Sequence, residues 1–370
     1  MQKKLIALAI AGLSSTAFAQ SNVTISGVLK GGYDSTKISG GTATTGSQNQ
    51  FSDQASSFVL SGSEALGNGL SAIFRIDSRF GIDGVDNSSD VGLGNTHVGL
   101  KSASFGEIKL GTQDLHYNEI ERIENGAKSL SQQSMTGRGI LSQVGGNNFV
   151  GNGTTRTKNV MFWDSPNWAG FTARVAYSTG YAGDESNTAG AGVATKVDQG
   201  DSWNLVGRYE NGPIKAGVSH LKTEADGTAA AVRLENTSTR AWGAYKIAGF
   251  SLGLAYDTSK QESHTAIGDS RKRNGWSIPL SYQVGSHGVY ATYAKVGDLK
   301  TQAGDVANSG AKQWTLGYSY DLSKRTSVGV NYTKIDNESG ANYRFSNSKG
   351  NNPAAGQDVS QFYAGVRHAF

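Results

Sequence analysis

The chain contains no cysteine. That excludes a disulfide framework, thiolate metal sites and a cysteine nucleophile. It has only 4 prolines, and charged residues make up 17% where about a quarter is usual. After residue 20 no apolar run approaches the ~20 residues of a membrane helix, and no helical periodicity is sustained. The six histidines stand scattered at 97, 116, 220, 264, 287 and 368. They make neither an H-E-x-x-H nor a metal pair at helical spacing, so no metal and no cofactor is expected. The formal net charge is +4, two units of which belong to Lys3 and Lys4. No large basic field remains to suggest nucleic acid as a partner.

What is abundant is glycine, 50 of 370 residues, with 15 Tyr, 13 Phe and 6 Trp. Low hydropathy and high glycine resemble a disordered chain, but that many aromatics argues against one. The first residues read as a leader. Lys3 and Lys4 precede a short apolar run, Leu5 to Leu13, and Ala17-Phe18-Ala19 has the form of a cleavage site. The expectation is a secretory signal peptide over 1–19, with the mature chain starting at Gln20.

Beyond it, apolar and polar residues alternate with period two. In Ser202–Glu210, Trp203, Leu205 and Tyr209 oppose Asn204, Val206 and Arg208. In Lys312–Tyr320, Trp314, Leu316, Tyr318 and Tyr320 oppose Gln313, Thr315 and Ser319. In Ser71–Phe80, Arg75, Asp77 and Arg79 share the face opposite Ala72, Phe74 and Ile76. About sixteen such segments follow one another. Short turns between them alternate with long polar loops at 34–53, 81–93, 114–157, 180–200, 224–237, 259–272, 298–310 and 336–356. This is the habit of outer-membrane barrels. In lipid an unpaired backbone group costs several kcal/mol, so a sheet must close on itself. Apolar faces then meet lipid and polar faces enclose water, too wide a lumen for side chains to fill. Tyr209, Tyr256, Tyr282, Tyr293, Tyr320, Tyr332 and Trp168 fall near segment ends and fit interfacial girdles. The expected fold is all-β: a 16-stranded antiparallel transmembrane barrel occupying 20–370 as one domain.

Several segments resemble a known family in order along the chain. These are Val23-Thr24-Ile25-Ser26-Gly27, the stretch Ser61 to Ala72, and His97-Val98-Gly99-Leu100 with Phe105 to Gly111. Then come Arg156 to Pro166, Tyr320-Asp321-Leu322-Ser323-Lys324-Arg325-Thr326, and Gly365-Val366-Arg367-His368-Ala369-Phe370. The chain resembles the general trimeric porins of Gram-negative bacteria, in their beta-proteobacterial, neisserial-like branch. The resemblance implies an outer-membrane location and passive diffusion of ions and small hydrophilic solutes. It also implies a homotrimer in contact with lipid and lipopolysaccharide, the second loop (81–93) reaching into a neighbour. The terminal aromatic, Phe370, would be the signal read by the barrel-assembly machinery.

The resemblance further implies that the third long loop, 114–157, folds into the lumen as one wall of a constriction. It carries Asp114, Glu119, Glu121 and Glu124. The opposing basic wall is expected from inward residues at period two: Arg75 and Arg79, with Lys30, Arg174 and Arg208. Acid facing base gives a transverse field that sets ion preference. The family often has Arg where this chain has Thr112, and an acid near Lys30. The balance leans to weak anion preference. Two other readings stand beside the channel: an outer-membrane barrel enzyme of protease or lipase type, which needs a convergent Ser/His or Asp/His set, and a surface adhesin. The chain is not expected to be an enzyme. Asp83, Asp86 and Asp90 lack the spacing, glycine and closing glutamate of a calcium loop.

Overall fold

The computed structural model describes residues 22–43, 45–53, 55–82, 91–124, 136–144, 147–148, 156–181, 200–226, 233–264, 269–345 and 352–370. The expected leader 1–19, most of the loop 81–93 with Asp83, Asp86 and Asp90, and the middle of the loop 114–157 lie outside the described residues.

Sixteen strands build one closed antiparallel barrel. The first eight are β1 (Asn22–Ser39), β2 in two segments (Gly46–Asp53 and Ser56–Gly67), β3 (Leu70–Phe80), β4 (Thr96–Ser102), β5 (Gly106–Asp114), β6 (Arg156–Asp164), β7 (Phe171–Ser178) and β8 (Asp201–Asn211). The rest are β9 (Ile214–Asp226), β10 (Arg233–Ile247), β11 (Phe250–His264), β12 (Asp269–Val284), β13 (His287–Val296), β14 (Ala311–Asp321), β15 (Thr326–Asn337) and β16 (Asp358–Ala369). Each pairs with the next in chain order, and β16 returns to β1 with Lys30 opposite Arg367. Gly27 and Phe370 exchange both backbone hydrogen bonds at 3.1 Å and complete the ring. The Phe370 ring lies where a side chain on Gly27 would stand, so the seam needs glycine there. With every edge paired, the sheet meets the hydrogen-bonding demand of a lipid environment.

Burial is inverted relative to a water-soluble protein. Along β14 the outward Leu316 is 56% exposed, while its inward neighbour Thr315 is 2% exposed. The same sorting repeats in β8, where Trp203 and Leu205 face out and Asn204 and Arg208 face in. An apolar exterior over a polar interior is the arrangement a bilayer selects and water forbids.

Two features depart from the expected pattern. The strands run further than the alternation shows: β1 continues to Ser39 and β2 begins at Gly46, inside the stretch expected as loop 34–53. Loops 224–237 and 259–272 likewise shrink, because β9 to β12 extend into them. Side chains there are polar on both faces, so the backbone ladder continues without an apolar signal. Second, the interior is not uniformly polar. Ile38, Val296, Ile335 and Val359 occupy inward positions near the long-loop end. They form an apolar cluster with Ile120, Ile140 and Leu141 of the third long loop and Tyr343 and Phe345 of the last one. Strand alternation breaks where the strands meet loops folded inward.

Short turns close the other end. Gly106 has φ +85°, and a Cβ there would fall 2.1 Å from the Asp164 carbonyl oxygen. Only glycine allows β5 to start that close to β6.

Candidate constriction of the lumen

After Asp114 the chain turns inward as a short 3₁₀ helix, His116–Arg122. It resumes as a single helical turn, Arg138–Leu141. Ile120, Ile140 and Leu141 are fully buried, as an apolar stripe pressed on the barrel wall requires. Polar contacts pin the same segment. His116 bonds Ser219 of β9 through Nδ1 (2.9 Å) and Ser238 of β10 through Nε2 (2.8 Å). Arg240 of β10 donates to the Tyr117 carbonyl (3.1 Å) and to Asp257 of β11 (2.9 Å). Arg273 of β12 donates to the Leu141 carbonyl. Gln313 of β14 donates to the Thr136 carbonyl (2.9 Å). The described parts of the loop are thus held along the inner faces of β8 to β14.

The last long loop clasps the third. Gln143 donates its amide to the Arg344 carbonyl at 2.9 Å. Asn337 holds Tyr343 in place, accepting from its N–H and donating to its carbonyl, each at 2.9 Å. This second inward loop carries no sequence signal beyond two aromatics in a polar stretch.

The expected acidic and basic residues separate into distinct groups. Arg208 of β8 grips Glu119 through two charge-assisted bonds of 2.5 and 2.7 Å, both side chains being about 5% exposed. These two were expected on opposing walls, and they are in direct contact. Burial pushes the Glu119 carboxyl up, but the Arg208 hydrogen bonds and the charges of Arg208, Arg122 and Arg174 outweigh it and hold it below the usual range. Arg122 reaches Glu210 at 2.6 Å. Glu121 is paired with Arg138. Arg138 also donates to Asn118 at 2.6 Å and lies over the Tyr117 ring. Glu124 approaches Ser277 of β12 at 3.4 Å, and its Oε2 is buried without a partner. Burial pushes its carboxyl up to about 7, against the pull of Arg138 and Arg240.

Arg174 of β7 forks onto Asp164 at 2.6 and 2.9 Å, which also takes Lys109 at 2.7 Å. Both cations lie over the Phe162 ring. Asp114 sits at the root of the loop, 3.7 Å from Arg156. Arg75 and Arg79 of β3 share Asp77, at 3.3 and 2.8 Å. Lys30 of β1 is buried, with Arg367, Arg79, Glu121 and Asp53 as the charges acting on it. Arg367, absent from the expected basic wall, stands opposite Lys30 in register. Its period-two position on β16 was a legible signal. Of the nine expected residues, therefore, Lys30, Arg79 and Glu121 lie in one electrostatic neighbourhood. Arg174, Arg208, Asp114 and Glu119 are tied into ion pairs around β5 to β8.

A Ser/His/Asp grouping does occur, in His116, Ser238 and Asp257. All are sealed, His116 and Asp257 being essentially inaccessible, and both imidazole nitrogens are spent on serines. It works as a pin for the loop and leaves no room for a substrate. Among the described residues no group of His, Asp and Glu could hold a metal ion.

Comparison with known proteins gives one answer. A family model of Gram-negative porins matches residues 5–341. Outer membrane porin protein 32 of Delftia acidovorans is 31% identical, over 100% of both chains. Major outer membrane protein P.IB of Neisseria lactamica is 27% identical, over 92% of this chain and 95% of its own. Among solved structures, the anion-selective porin from Comamonas acidovorans matches with a TM-score of 0.75 at 22% identity. That match covers 95% of this chain and 100% of the other.

Proposed function

The chain belongs to the Gram-negative porin family, and from that premise we propose that its traffic is set where the Lys30–Arg79–Arg367 group faces Glu121. The protein is an outer-membrane channel for ions and small hydrophilic solutes, which cross it by passive diffusion. A wide aqueous barrel would pass them with little discrimination. The pinned loop narrows it, and the charges at the narrowing decide which ions enter.

The observation carrying this reading is the imbalance at that point. Lys30, Arg75, Arg79 and Arg367, from β1, β3 and β16, stand against Asp77 and Asp53, while the loop carboxylate Glu121 is compensated by Arg138. The net local field favours anions, in line with the similarity to the anion-selective porin from Comamonas acidovorans. Arg174 and Arg208 are neutralised by Asp164 and Glu119 and contribute shape more than field. The reading includes one barrel domain over 20–370 after removal of the leader. It includes a homotrimer with loop 81–93 contacting a neighbour, Phe370 as the assembly signal, and transport with no cofactor or covalent step.

The test is planar-bilayer conductance with a salt-gradient reversal potential. Neutralising Lys30, Arg79 or Arg367 should move the reversal potential toward cation preference. Neutralising Arg174 should move it little. Unchanged selectivity in all three wall variants would remove the assignment.

A further inference from the structure

β2 is interrupted between its two segments, and the interruption stands beside Lys30. Gly31 of β1 pairs with Asp53 in the segment nearer the long loops, and Val28 pairs with Ser57 in the other. Between those pairs lie two residues of β1, Leu29 and Lys30, against three positions of β2. One extra residue on one strand is a β-bulge, a feature that re-aims neighbouring side chains. Ala55 lies in it with φ +65°, in the left-handed region that a residue with a side chain seldom occupies.

The extra residue changes which positions of β2 face inward. On the long-loop side Phe51 is 80% exposed and Ser52 is buried, while beyond the bulge Ser57 and Val59 are buried. The inward face passes from even to odd numbers. Ser57 is the register partner of Arg79 on β3. A slip of one residue sends a whole strand face to the other side. Without the bulge, a ladder continuous with β1 would turn Ser57 to the lipid, and Arg79 with it. The bulge therefore lets Lys30 on one neighbouring strand and Arg79 on the other enter the lumen together, where each acts on the other's charge.

Polar contacts hold this arrangement. Ser56 is fully buried. The Lys30 N–H donates to Ser56 Oγ at 3.0 Å, so a side-chain oxygen takes the bond that a regular ladder gives to a backbone carbonyl. The Ser56 O–H is directed at the Asp53 carboxylate and at the Lys30 carbonyl, the latter at 3.3 Å. The Ser56 N–H meets both Asp53 carboxylate oxygens at 3.1 Å.

We propose that this bulge is the positioning element of the charged narrowing: Ser56 fixes the backbone of Lys30, and Asp53 fixes Ser56. The inference deepens the charge reading above and rests on it. Ser56 touches no permeating ion and acts through Lys30.

The test is the salt-gradient reversal potential of the full-length protein in planar bilayers, read as a double-mutant cycle. Lys30→Gln should shift it toward cation preference. Ser56→Ala should shift it the same way by a smaller amount, with the channel still conducting. On the Lys30→Gln background Ser56→Ala should add nothing, because the group it positions is gone. Ala55→Val, whose branched side chain resists positive φ, should shift the potential as Ser56→Ala does. Ala55→Gly should raise the urea midpoint, since glycine holds that φ without strain. Should Ala55→Val fail to fold, the Ser56 cycle and the Ala55→Gly midpoint decide alone. A wild-type potential in Ser56→Ala beside a shifted Lys30→Gln would overturn the bulge and leave the charge reading standing. An equal Ser56→Ala shift with and without Lys30 would make it a general disturbance of the wall and overturn the bulge too. A wild-type potential in Lys30→Gln would instead count against Lys30 as a selectivity charge, and the inference would fall with that premise.

Discussion

Changing Arg208 to methionine leaves Glu119 as a buried carboxylate beside only Arg122, whose guanidinium is 3.3 Å away and partly exposed. Removing one partner of a buried pair typically costs about 3–5 kcal/mol, because the other charge stays desolvated. Here that cost falls on the seat of the third long loop, since the barrel ladder is backbone and does not use either side chain. Glu119→Gln should cost a similar amount. The double change Glu119→Met with Arg208→Met removes both charges and should recover most of the loss. The chain has no cysteine, so a single Ile120→Cys gives a clean reporter: the position is inaccessible until the loop lifts. At about 1.4 kcal/mol per decade, each single change should speed labelling by a small lumenal thiol reagent on the order of a hundredfold to a few thousandfold. The double change should return close to the parent rate. Wild-type labelling rates in both single variants would refute the anchor. So would reversal potentials that move in opposite directions in the two, which is the behaviour of opposed electrodes rather than of a clamp.

Glu124 gives a pH dependence. Its carboxyl is pushed up to about 7 by burial, from 4.5 in the open chain. Its contribution to the loop seat is therefore complete below about pH 4.5 and is lost as pH rises through about 7, a swing of about 3 kcal/mol. Labelling of the Ile120→Cys reporter, corrected for free-thiol reactivity, should rise across that window, and Glu124→Gln should flatten the rise. Tyr343→Ala removes a fully buried ring from the contact between the two inward loops, a loss of about 3–5 kcal/mol. It should raise open-channel current noise without changing the reversal potential. Leu316→Lys on the lipid face should destabilise the barrel by about 2–4 kcal/mol in urea unfolding from vesicles, and Thr315→Lys, one residue earlier and facing the lumen, by much less. Gly106→Ala should impair refolding, because its methyl would collide with the Asp164 carbonyl oxygen.

The barrel was legible in the sequence because closure in lipid leaves one solution, and period-two sorting of Trp203, Leu205, Trp314 and Leu316 against Asn204, Arg208 and Thr315 shows directly which side meets lipid. Strand ends were less legible: around Thr36 and Gln48 both faces are polar, and the ladder continues on backbone bonds that leave no compositional trace. The candidate site was legible as a set of charges but not as a set of pairs. Spacing placed Arg208 on an inward face and Glu119 on a long loop. Whether they would face each other across water or close into one buried contact depends on how far the loop descends. That descent is decided by contacts distant in sequence: Ile120 and Leu141 seated on the wall, His116 between two serines, Gln143 on the last long loop. Alternation along a strand is a local property, fixed by the backbone repeat, and one chain suffices to read it. Ion pairing across a lumen is set by three-dimensional distance, and only the closed barrel with its folded loops supplies that.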